Sequence, residues 1–209
     1  MAKLKVAPTK SSYLGLRRQL AFAREGYDLL EQKRQILIFE LMSRLARARE
    51  SERRTVQAMD EALEALREAL LDIGSDALDR ASLAVLPGYK LKLQEQGLMG
   101  LRLPQVSIEV QPPSAQFGVG GTSAWTDEAM RRFTEVLPVL ADLAELENAV
   151  LRLARELRKT QRRCNALSKV FIPDYSETIA YILSSLEERE RESFVILKMV
   201  KDRLARTVV

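Results

Sequence analysis

Histidine is absent from this chain of 209 residues, and cysteine occurs once, as Cys164. Without histidine the chain lacks the side chain that most often serves as a general base and as a metal ligand near neutral pH. A single cysteine cannot form an internal disulfide or a thiolate cluster for zinc. We therefore expect neither a metal site nor a bound cofactor.

Aromatic residues are also few, at 6% of the chain, whereas apolar residues reach 46% and charged residues 30%. Many Leu, Ala, Arg and Glu residues with few rings are typical of long helices rather than of a thick globular core. The basic first ten residues contain no apolar run, and no stretch of about 18 apolar residues occurs. We expect a cytoplasmic protein without a secretory signal or a membrane-spanning helix.

Phosphate-binding loops are missing as well. No Gly-Lys dipeptide occurs, which excludes a Walker A loop, and the glycine-rich stretch 118–121 has no lysine to hold a phosphate. The acidic residues lie on helical stretches without histidine or a lysine-lined pocket, so solvated helix faces explain them better than acid–base catalysis. Cys164 lies on an apolar helix face and is interpreted as a core residue. No enzyme active site is predicted.

Two long heptad patterns occupy most of the chain. The first predicts a helix from Ser12 to about Asp72, capped by Ser11 or Ser12 just after Pro8. Its seam residues are spaced mostly four and three apart, as in a coiled coil. They are Leu16, Leu20, Ala23, Tyr27, Leu30, Arg34, Leu37, Leu41, Leu45, Ala48, Glu52, Val56, Met59, Leu63, Leu66, Leu70 and Ile73.

The second long helix is predicted to open at Thr126-Asp127-Glu128, where two acids suit the positive end of a helix. Its seam runs from Leu143 to Val200 and is interrupted at Pro173, after which Asp174 and Glu177 resemble a capping box. Two helices of similar length joined by a compact insert predict an all-α fold, a long antiparallel two-helix coiled coil. A parallel homodimer of each helix is the structural alternative.

The insert between the helices has a different character. A short helix is expected to about Leu86, and alternating apolar and polar residues at 89–93 and 106–110 predict two strands. The stretch 96–104, with two glycines and Pro104, is expected to be a turn or a bulged edge.

The chain is thus expected to form one structural unit with three parts. These are an N-terminal helix (1–74), a short helix with a small β-hairpin at the far end (75–125), and a C-terminal helix kinked near Pro173 (126–209).

Basic residues cluster in two places. Residues 44–54 contain five arginines, and residues 152–163 contain six arginines and lysines. If the antiparallel pairing brings Leu70 near Leu146, both clusters lie at the same height and form one basic collar. The alternatives are an ordinary solvated face, or a coiled-coil adaptor or nucleic-acid-binding protein that uses the same arginines. Clustered aromatics for stacking on bases are missing near them.

Several short blocks resemble the D subunit of the V-type and A-type rotary ATPases. They are Pro8-Thr9-Lys10, Ala23–Arg34, Met99–Pro104, Arg162–Leu167, Ile172-Pro173 and Glu187–Phe194. The blocks occur in the family's order from near the start of the chain to near its end, although Cys164 stands where the family commonly has valine.

This resemblance implies a non-catalytic central-stalk rotor subunit that transmits torque between a hexamer of catalytic and regulatory nucleotide-binding subunits and an ion-carrying membrane ring. The candidate hexamer contacts, from the resemblance and the basic clusters, are Pro8, Thr9, Lys10, Arg53, Arg54, Arg162, Arg163 and Asn165. The small F subunit of the central stalk is expected to contact Gly97, Met99, Gly100 and Pro104.

A funnel-shaped subunit above the membrane rotor ring is a further implied partner. The complex is expected at the cytoplasmic face of the membrane, with no nucleic acid bound and no direct insertion of this chain into the bilayer.

Overall fold

The computed structural model describes residues 4–86, 88–111, 116–118 and 120–207. Its elements are α1 (Lys10–Ile73), α2 (Ser75–Ala84), β1 (Tyr89–Leu98), β2 (Leu101–Val110), α3 (Ala124–Ala166), a π-helical turn (Leu167–Phe171) and α4 (Ile172–Thr207). The predicted fold class is confirmed, since two long helical regions flank a two-stranded antiparallel hairpin in the sequence. Pro87, Pro112, Pro113 and Val119, which the sequence places in loops, lie outside the described residues.

The chain folds as two compact units. The first comprises Met1–Ile36 and Leu157–Val209, and the second comprises Leu37–Glu156. In the first unit Nζ of Lys10 lies 2.9 Å from Oε1 of Glu190, while Nη1 of Arg34 donates to Oε1 of Gln161 at 2.8 Å. Later residues of α1 therefore meet earlier residues of the partner helix, which is antiparallel pairing.

The second unit pairs α1 with α3 in the same antiparallel sense, but the expected residue pairing is wrong. The sequence placed Leu70 beside Leu146, whereas Nη1 of Arg132 lies 2.8 Å from Oε2 of Glu61. Heptads define which face of a helix is buried, and every shift by a whole repeat satisfies them equally. The periodicity therefore could not fix the register along the axis.

In the second unit the seam prediction is confirmed at Ala48, but beyond Ala48 the buried face of α1 differs from the predicted seam. Four small residues spaced seven apart lie buried there, namely Ala48, Thr55, Ala62 and Ala69. Val56, Leu63 and Leu70, each one position further along, are exposed to 55%, 49% and 43%. Small side chains let two helix backbones approach closely, so this close-packed face excludes the larger neighbours that hydrophobicity favoured.

Thr9, rather than the predicted Ser11 or Ser12, caps α1. The backbone N–H of Ser12 donates to Oγ1 of Thr9 at 3.1 Å, and the N–H of Tyr13 donates to the carbonyl of Thr9 at 3.0 Å. A hydroxyl that accepts from the third residue of the helix is the usual N-cap arrangement. The helix therefore begins two residues earlier than Ser12, immediately after Thr9.

The other helix starts also use small residues. Gly74, with φ of 77°, separates α1 from α2 and precedes Ser75, the first residue of α2. At the start of α3 the N–H of Ser123 donates to Oγ1 of Thr126 at 3.3 Å. Thr126 is thus inside the first turn and returns a bond to the residue before the helix, as in a capping box.

The hairpin is longer than expected, because the stretch 96–104 is mostly strand. β1 and β2 pair continuously from Tyr89↔Val110 to Leu98↔Leu101, which leaves Met99 and Gly100 as the whole turn. Both turn residues have positive φ, 50° and 81°. Positive φ at both central residues is the type I′ geometry that suits the twist of a two-residue hairpin.

Pro173 does not restart the helix through a capping box as predicted. The π-helical turn Leu167–Phe171 leads directly into α4, and Ile172 has helical φ and ψ. A proline lacks the N–H that would bond four residues back, and its ring crowds that carbonyl. A wider π turn just before it relieves the crowding and keeps the chain helical.

Candidate interaction surfaces

The N-terminal segment 4–9 lies along α4. The N–H of Leu4 donates to Oγ1 of Thr178 at 3.2 Å, and Nη1 of Arg189 donates to the carbonyl of Pro8 at 3.0 Å. Together with the Lys10–Glu190 ion pair, these bonds hold the predicted contact residues Pro8, Thr9 and Lys10 against the chain's own helix. The side chain of Lys10 stays largely exposed.

The C-terminal part of α4 presents an exposed apolar surface. Every residue from Glu187 to Leu204 is exposed. The large apolar members are Phe194, Val195, Ile196, Leu197, Met199, Val200 and Leu204. The heptad seam predicted from the sequence runs through this region, which implies packing against a partner helix. Among the described residues, however, no helix covers these side chains. Contiguous exposed apolar residues mark surfaces that other molecules cover.

A polar layer interrupts the apolar contact between α1 and α3 in the first unit. It consists of Glu31, Arg34, Gln161 and Asn165. Arg34 donates to Glu31 and to Gln161, and Nε2 of Gln161 donates to Oδ1 of Asn165 at 3.2 Å. The hydrogen bond to the Glu31 carboxylate raises the pKa of Arg34. Asn165, a predicted hexamer contact, is exposed but takes part in this intramolecular hydrogen-bond network.

Cys164 lies next to this layer and is 3% exposed. Burial raises the pKa of its thiol, and the nearby Glu31 carboxylate acts in the same direction. A thiol is a nucleophile only after it loses its proton. Cys164 is thus a small core residue, as its place on the apolar helix face predicted.

The predicted basic collar is not formed as expected. Arg53 and Arg54 both bind Oε1 of Glu50 at 3.1 Å, and their bonds lower the pKa of that carboxyl group. Arg54 also lines a cavity with Asp142 and Glu145. The helix segment beside Arg54 is therefore 142–145 rather than the stretch around Arg162, and the antiparallel register explains the difference.

Arg162 and Arg163 follow Gln161 in the first unit and are exposed. In the part of the chain that the structure describes, neither has an ion-pair partner. The two predicted clusters thus differ in character. One arginine pair shares a single carboxylate of its own helix, and the other is open to an external carboxylate.

The predicted small-partner contacts all lie in the hairpin. Met99 and Gly100 form the turn, Gly97 lies in β1 and Pro104 lies in β2 opposite Glu95. The hairpin runs beside α3, because Oε2 of Glu145 accepts the N–H of Val106 at 2.7 Å.

Acidic and cysteine side chains do not gather into a metal-binding group of three or more anywhere in the described ranges. Within those ranges, too, no helix combines the length and apolarity needed to cross a membrane.

These features define an α-helical coiled-coil protein with a hairpin insert. The sequence matches the family model of the ATP synthase D subunit over residues 12–202. The chain belongs to the ATP synthase D-subunit family.

Curated relatives match over nearly their whole length. A V-type ATP synthase D subunit of Treponema pallidum is 43% identical over 203 residues, covering 96% of both chains. The V-type D subunit of Thermotoga neapolitana is 35% identical and covers 97% of this chain and all of its own. The A-type D subunit of Pyrococcus abyssi is 37% identical, with 95% and 94% covered.

Proposed function

We propose that this chain is the central-stalk rotor subunit of a V/A-type ATPase. It transmits torque between a nucleotide-binding hexamer and an ion-translocating membrane ring, and so couples ATP hydrolysis or synthesis to proton or sodium transport. The full-length similarity to ATP synthase D subunits carries this proposal. The chain itself is non-catalytic.

The antiparallel helix pairing supports a mechanical role. A shaft must resist bending and twisting, and in both units paired helices with buried seams supply that resistance. Its contacts with surrounding chains must be numerous and individually weak, so that no single angle traps it. Exposed ion pairs contribute only about 0–1 kcal/mol each, which suits a surface that slides from one contact to the next.

The exposed apolar surface of α4 and the first residues of α1 are proposed to contact the hexamer of catalytic and regulatory subunits. The hairpin is proposed to contact the small F subunit, and a funnel-shaped subunit is proposed to connect the chain to the membrane ring. In this arrangement the protein works at the cytoplasmic face of the membrane.

Co-assembly tests the rotor role directly. The full chain, co-expressed with the two nucleotide-binding subunits of its own complex, should purify with one copy per hexamer. A bead attached to the chain should rotate when ATP is added. Exchanging Ile196 and Val200 for aspartate should weaken assembly, because both are exposed apolar residues of α4. A matched control is the exchange of Glu187 and Glu192 for glutamine, which leaves the apolar surface intact. Assembly with no fixed stoichiometry, or ATP turnover without rotation, would contradict the proposal.

The purified chain alone should neither bind nor hydrolyse ATP. The sequence contains no Walker A lysine and no histidine. Equilibrium dialysis with labelled ATP and a phosphate-release assay measure the two quantities. Turnover that survives further purification would refute the non-catalytic assignment.

Removal of the hairpin tests the contact with the small F subunit. Tyr89 and Val110 are cross-strand partners, so a short Gly-Ser linker can replace the strands without stretching the chain. We expect loss of small-subunit binding with the helices still folded. Binding that survives the deletion would place the contact elsewhere.

A further inference from the structure

The two strands of the hairpin have different outer edges. The N–H of Gln111 donates to the carbonyl of Gly88 at 2.7 Å, and the register continues without a bulge to Leu98↔Leu101. Backbone groups along an antiparallel pair point alternately towards and away from the partner strand. The backbone N–H and C=O groups of the even-numbered residues of β1 therefore bond to β2, whereas those of its odd-numbered residues point outward. In β2 the even-numbered residues point outward.

Three features close the outer edge of β2 between Arg102 and Val106. The N–H of Val106 donates to Glu145, and the carbonyl of Arg102 accepts a 2.5 Å bond from Nη1 of Arg152. The outward position between them is Pro104, which has no N–H to satisfy. Both helix side chains come from α3, so this part of the edge is occupied by the chain's own residues.

The outer edge of β1 is open. Its outward residues are Tyr89, Leu91, Leu93, Glu95 and Gly97, and their backbone groups have no hydrogen-bond partner among the described residues. They span about 27 Å at the usual rise per strand residue. An unpaired edge of this length is a template for another strand.

The side chains of β1 indicate what kind of added strand would pair with its open edge. Tyr89, Leu91 and Leu93 lie on one face and are exposed to 47%, 52% and 68%, whereas Val106 and Ile108, opposite the two leucines, are half-buried. On this apolar face the β2 residues are thus partly covered, whereas the β1 residues at the outer edge of the hairpin are exposed.

The opposite face of β1 is basic. It carries Lys90 and Lys92, of which Lys92 binds Glu109 and Lys90 has no ion-pair partner within the described ranges. A second copy of β1, paired antiparallel about Leu91, would set Lys90 against Lys92. Like charges on directly opposite residues are destabilising. The charges therefore disfavour a second copy in this register, whereas a different chain with acidic residues opposite Lys90 and Lys92 meets no such repulsion.

We propose that the outer edge of β1 binds an extended segment of a partner protein as a third strand, in which apolar residues alternate with acidic ones. The apolar residues cover Leu91 and Leu93, and the acidic residues face Lys90 and Lys92. This inference rests on the proposed use of the hairpin as a partner contact and specifies how that contact is made. Main-chain bonds supply affinity, and the alternating side chains supply selectivity.

Amide hydrogen exchange resolved by residue tests the proposal on the full chain. The probe is a peptide of about nine residues alternating valine and glutamate, long enough to cover the edge. At saturation, exchange at the outward amides of Leu91, Leu93 and Glu95 should slow about tenfold, while the inward amides of Lys92 and Gln94 change little. A matched peptide with lysine in place of glutamate should bind more weakly.

Two substitutions separate backbone pairing from side-chain contact. Leu93→Pro removes one outward N–H and leaves the bonds to β2 intact, as Pro104 already does at an outward position of the other strand. Leu93→Ala removes the same apolar side chain but keeps the N–H. We expect Leu93→Pro to abolish protection and Leu93→Ala to reduce it.

Three results would overturn the proposal. They are absence of peptide protection in the unmodified chain, equal protection in both variants, and protection that rises with protein concentration without peptide, which would identify a second copy as the occupant. None depends on assembly of the ATPase. Failure of the strand docking can therefore be told apart from failure of the hairpin-deletion test, which addresses the partner contact itself.

Discussion

Arg34 on α1 donates a 2.8 Å hydrogen bond from Nη1 to Oε1 of Gln161 on α3, and this bond joins the two helices of the first unit at one level. Apolar seam residues can exchange places by a shift of seven, but a donor and an acceptor meet in one register only. A single polar residue on a coiled-coil seam is known to select register at some cost in stability. We infer that the Arg34–Gln161 pair has this role here.

The two members of this pair should respond unequally to substitution. Gln161→Leu leaves the Arg34 guanidinium without its cross-helix acceptor. A second donor of the same group, Nε, already has no partner among the described residues. Because a half-buried donor left unsatisfied is costly, we expect a loss of about 1–2 kcal/mol in the free energy of unfolding. Arg34→Leu also leaves the half-buried Glu31 carboxylate without its ion-pair partner, so it should cost more than Gln161→Leu.

Chemical denaturation of both variants measures these differences. A loss for Arg34→Leu that is equal to or smaller than the loss for Gln161→Leu would show that the bond to Glu31 contributes little to stability.

The heptads were sufficient to predict the fold class but not which residues meet. Leu37 and Ile182 were placed on the seams and are at most 1% exposed. The prediction failed where two adjacent positions both suited the pattern, because it chose Leu63 over Ala62. Hydrophobicity favours the larger side chain, but the distance between helix backbones decides which side chain fits, and that distance is a property of the folded pair.

Ala62 and Leu63 offer a direct test of the close-packed face. Ala62 is fully buried and Leu63 is 49% exposed. Ala62→Leu forces extra methylene groups between the helices and should cost about 1–3 kcal/mol of unfolding free energy. Leu63→Ala should change it by less than about 0.5 kcal/mol. Urea denaturation followed by circular dichroism measures both, and the opposite ranking would restore the seam that the sequence predicted.

The hairpin turn could not be predicted from sequence, because Met-Gly is not a typical type I′ pair. Asn-Gly and Asp-Gly are the strong signals, and the two glycines with Pro104 instead suggested a wide turn. Pro104 is compatible with β2 because its missing N–H faces outward, a fact that only the strand register reveals.

Gly100 and Gly97 provide a matched pair for the turn. A Cβ added at either glycine meets nothing within 4 Å, but only Gly100 has positive φ, at 81°. Gly100→Ala should therefore destabilise the hairpin by about 1–2 kcal/mol through backbone conformation alone. Gly97→Ala should be neutral or slightly stabilising. Amide exchange of the inward β1 residues reports hairpin opening, and equal effects at both positions would argue against the type I′ turn.

The ion pairs of Glu128 should make the second unit less stable as the pH falls into the acidic range. Hydrogen bonds from Arg131 and then Arg132 lower the pKa of Glu128 from 4.5 to about 2. A carboxyl group with a lowered pKa in the folded state stabilises fully above its unfolded pKa and loses that contribution as pH falls through its folded pKa. The contribution should therefore disappear between pH 4.5 and about 2.

Glu128→Gln should lower the melting temperature at pH 7 and leave it unchanged near pH 2. Glu147→Gln is the matched control, since Glu147 is exposed on the same helix and no described residue forms an ion pair with it. Thermal melts followed by circular dichroism across this pH range measure both variants. A Glu128→Gln deficit that persists at pH 2 would mean that the side chain stabilises by packing rather than by charge.

The two arginine pairs are expected to contribute differently to assembly. Arg53 and Arg54 already share Glu50, whereas Arg162 and Arg163 have no ion-pair partner in the described part of the chain. An external carboxylate must compete with Glu50 for the first pair but not for the second. Exchanging Arg162 and Arg163 for glutamine should therefore weaken co-assembly with the nucleotide-binding subunits more than the same exchange at Arg53 and Arg54.

The size and salt dependence of this effect follow from the exposure of these residues. Each exposed ion pair contributes about 0–1 kcal/mol, so the double exchange at Arg162 and Arg163 should weaken association by up to about thirtyfold at low salt and much less at high salt. Helicity and melting of the isolated chain should stay unchanged, because neither side chain has an ion-pair partner among the described residues. Association constants measured across a salt series test this directly. If both double variants assemble like the parent chain at every ionic strength, the two pairs are solvated surface and the hexamer is held by other contacts, of which the exposed apolar residues of α4 are the first to examine.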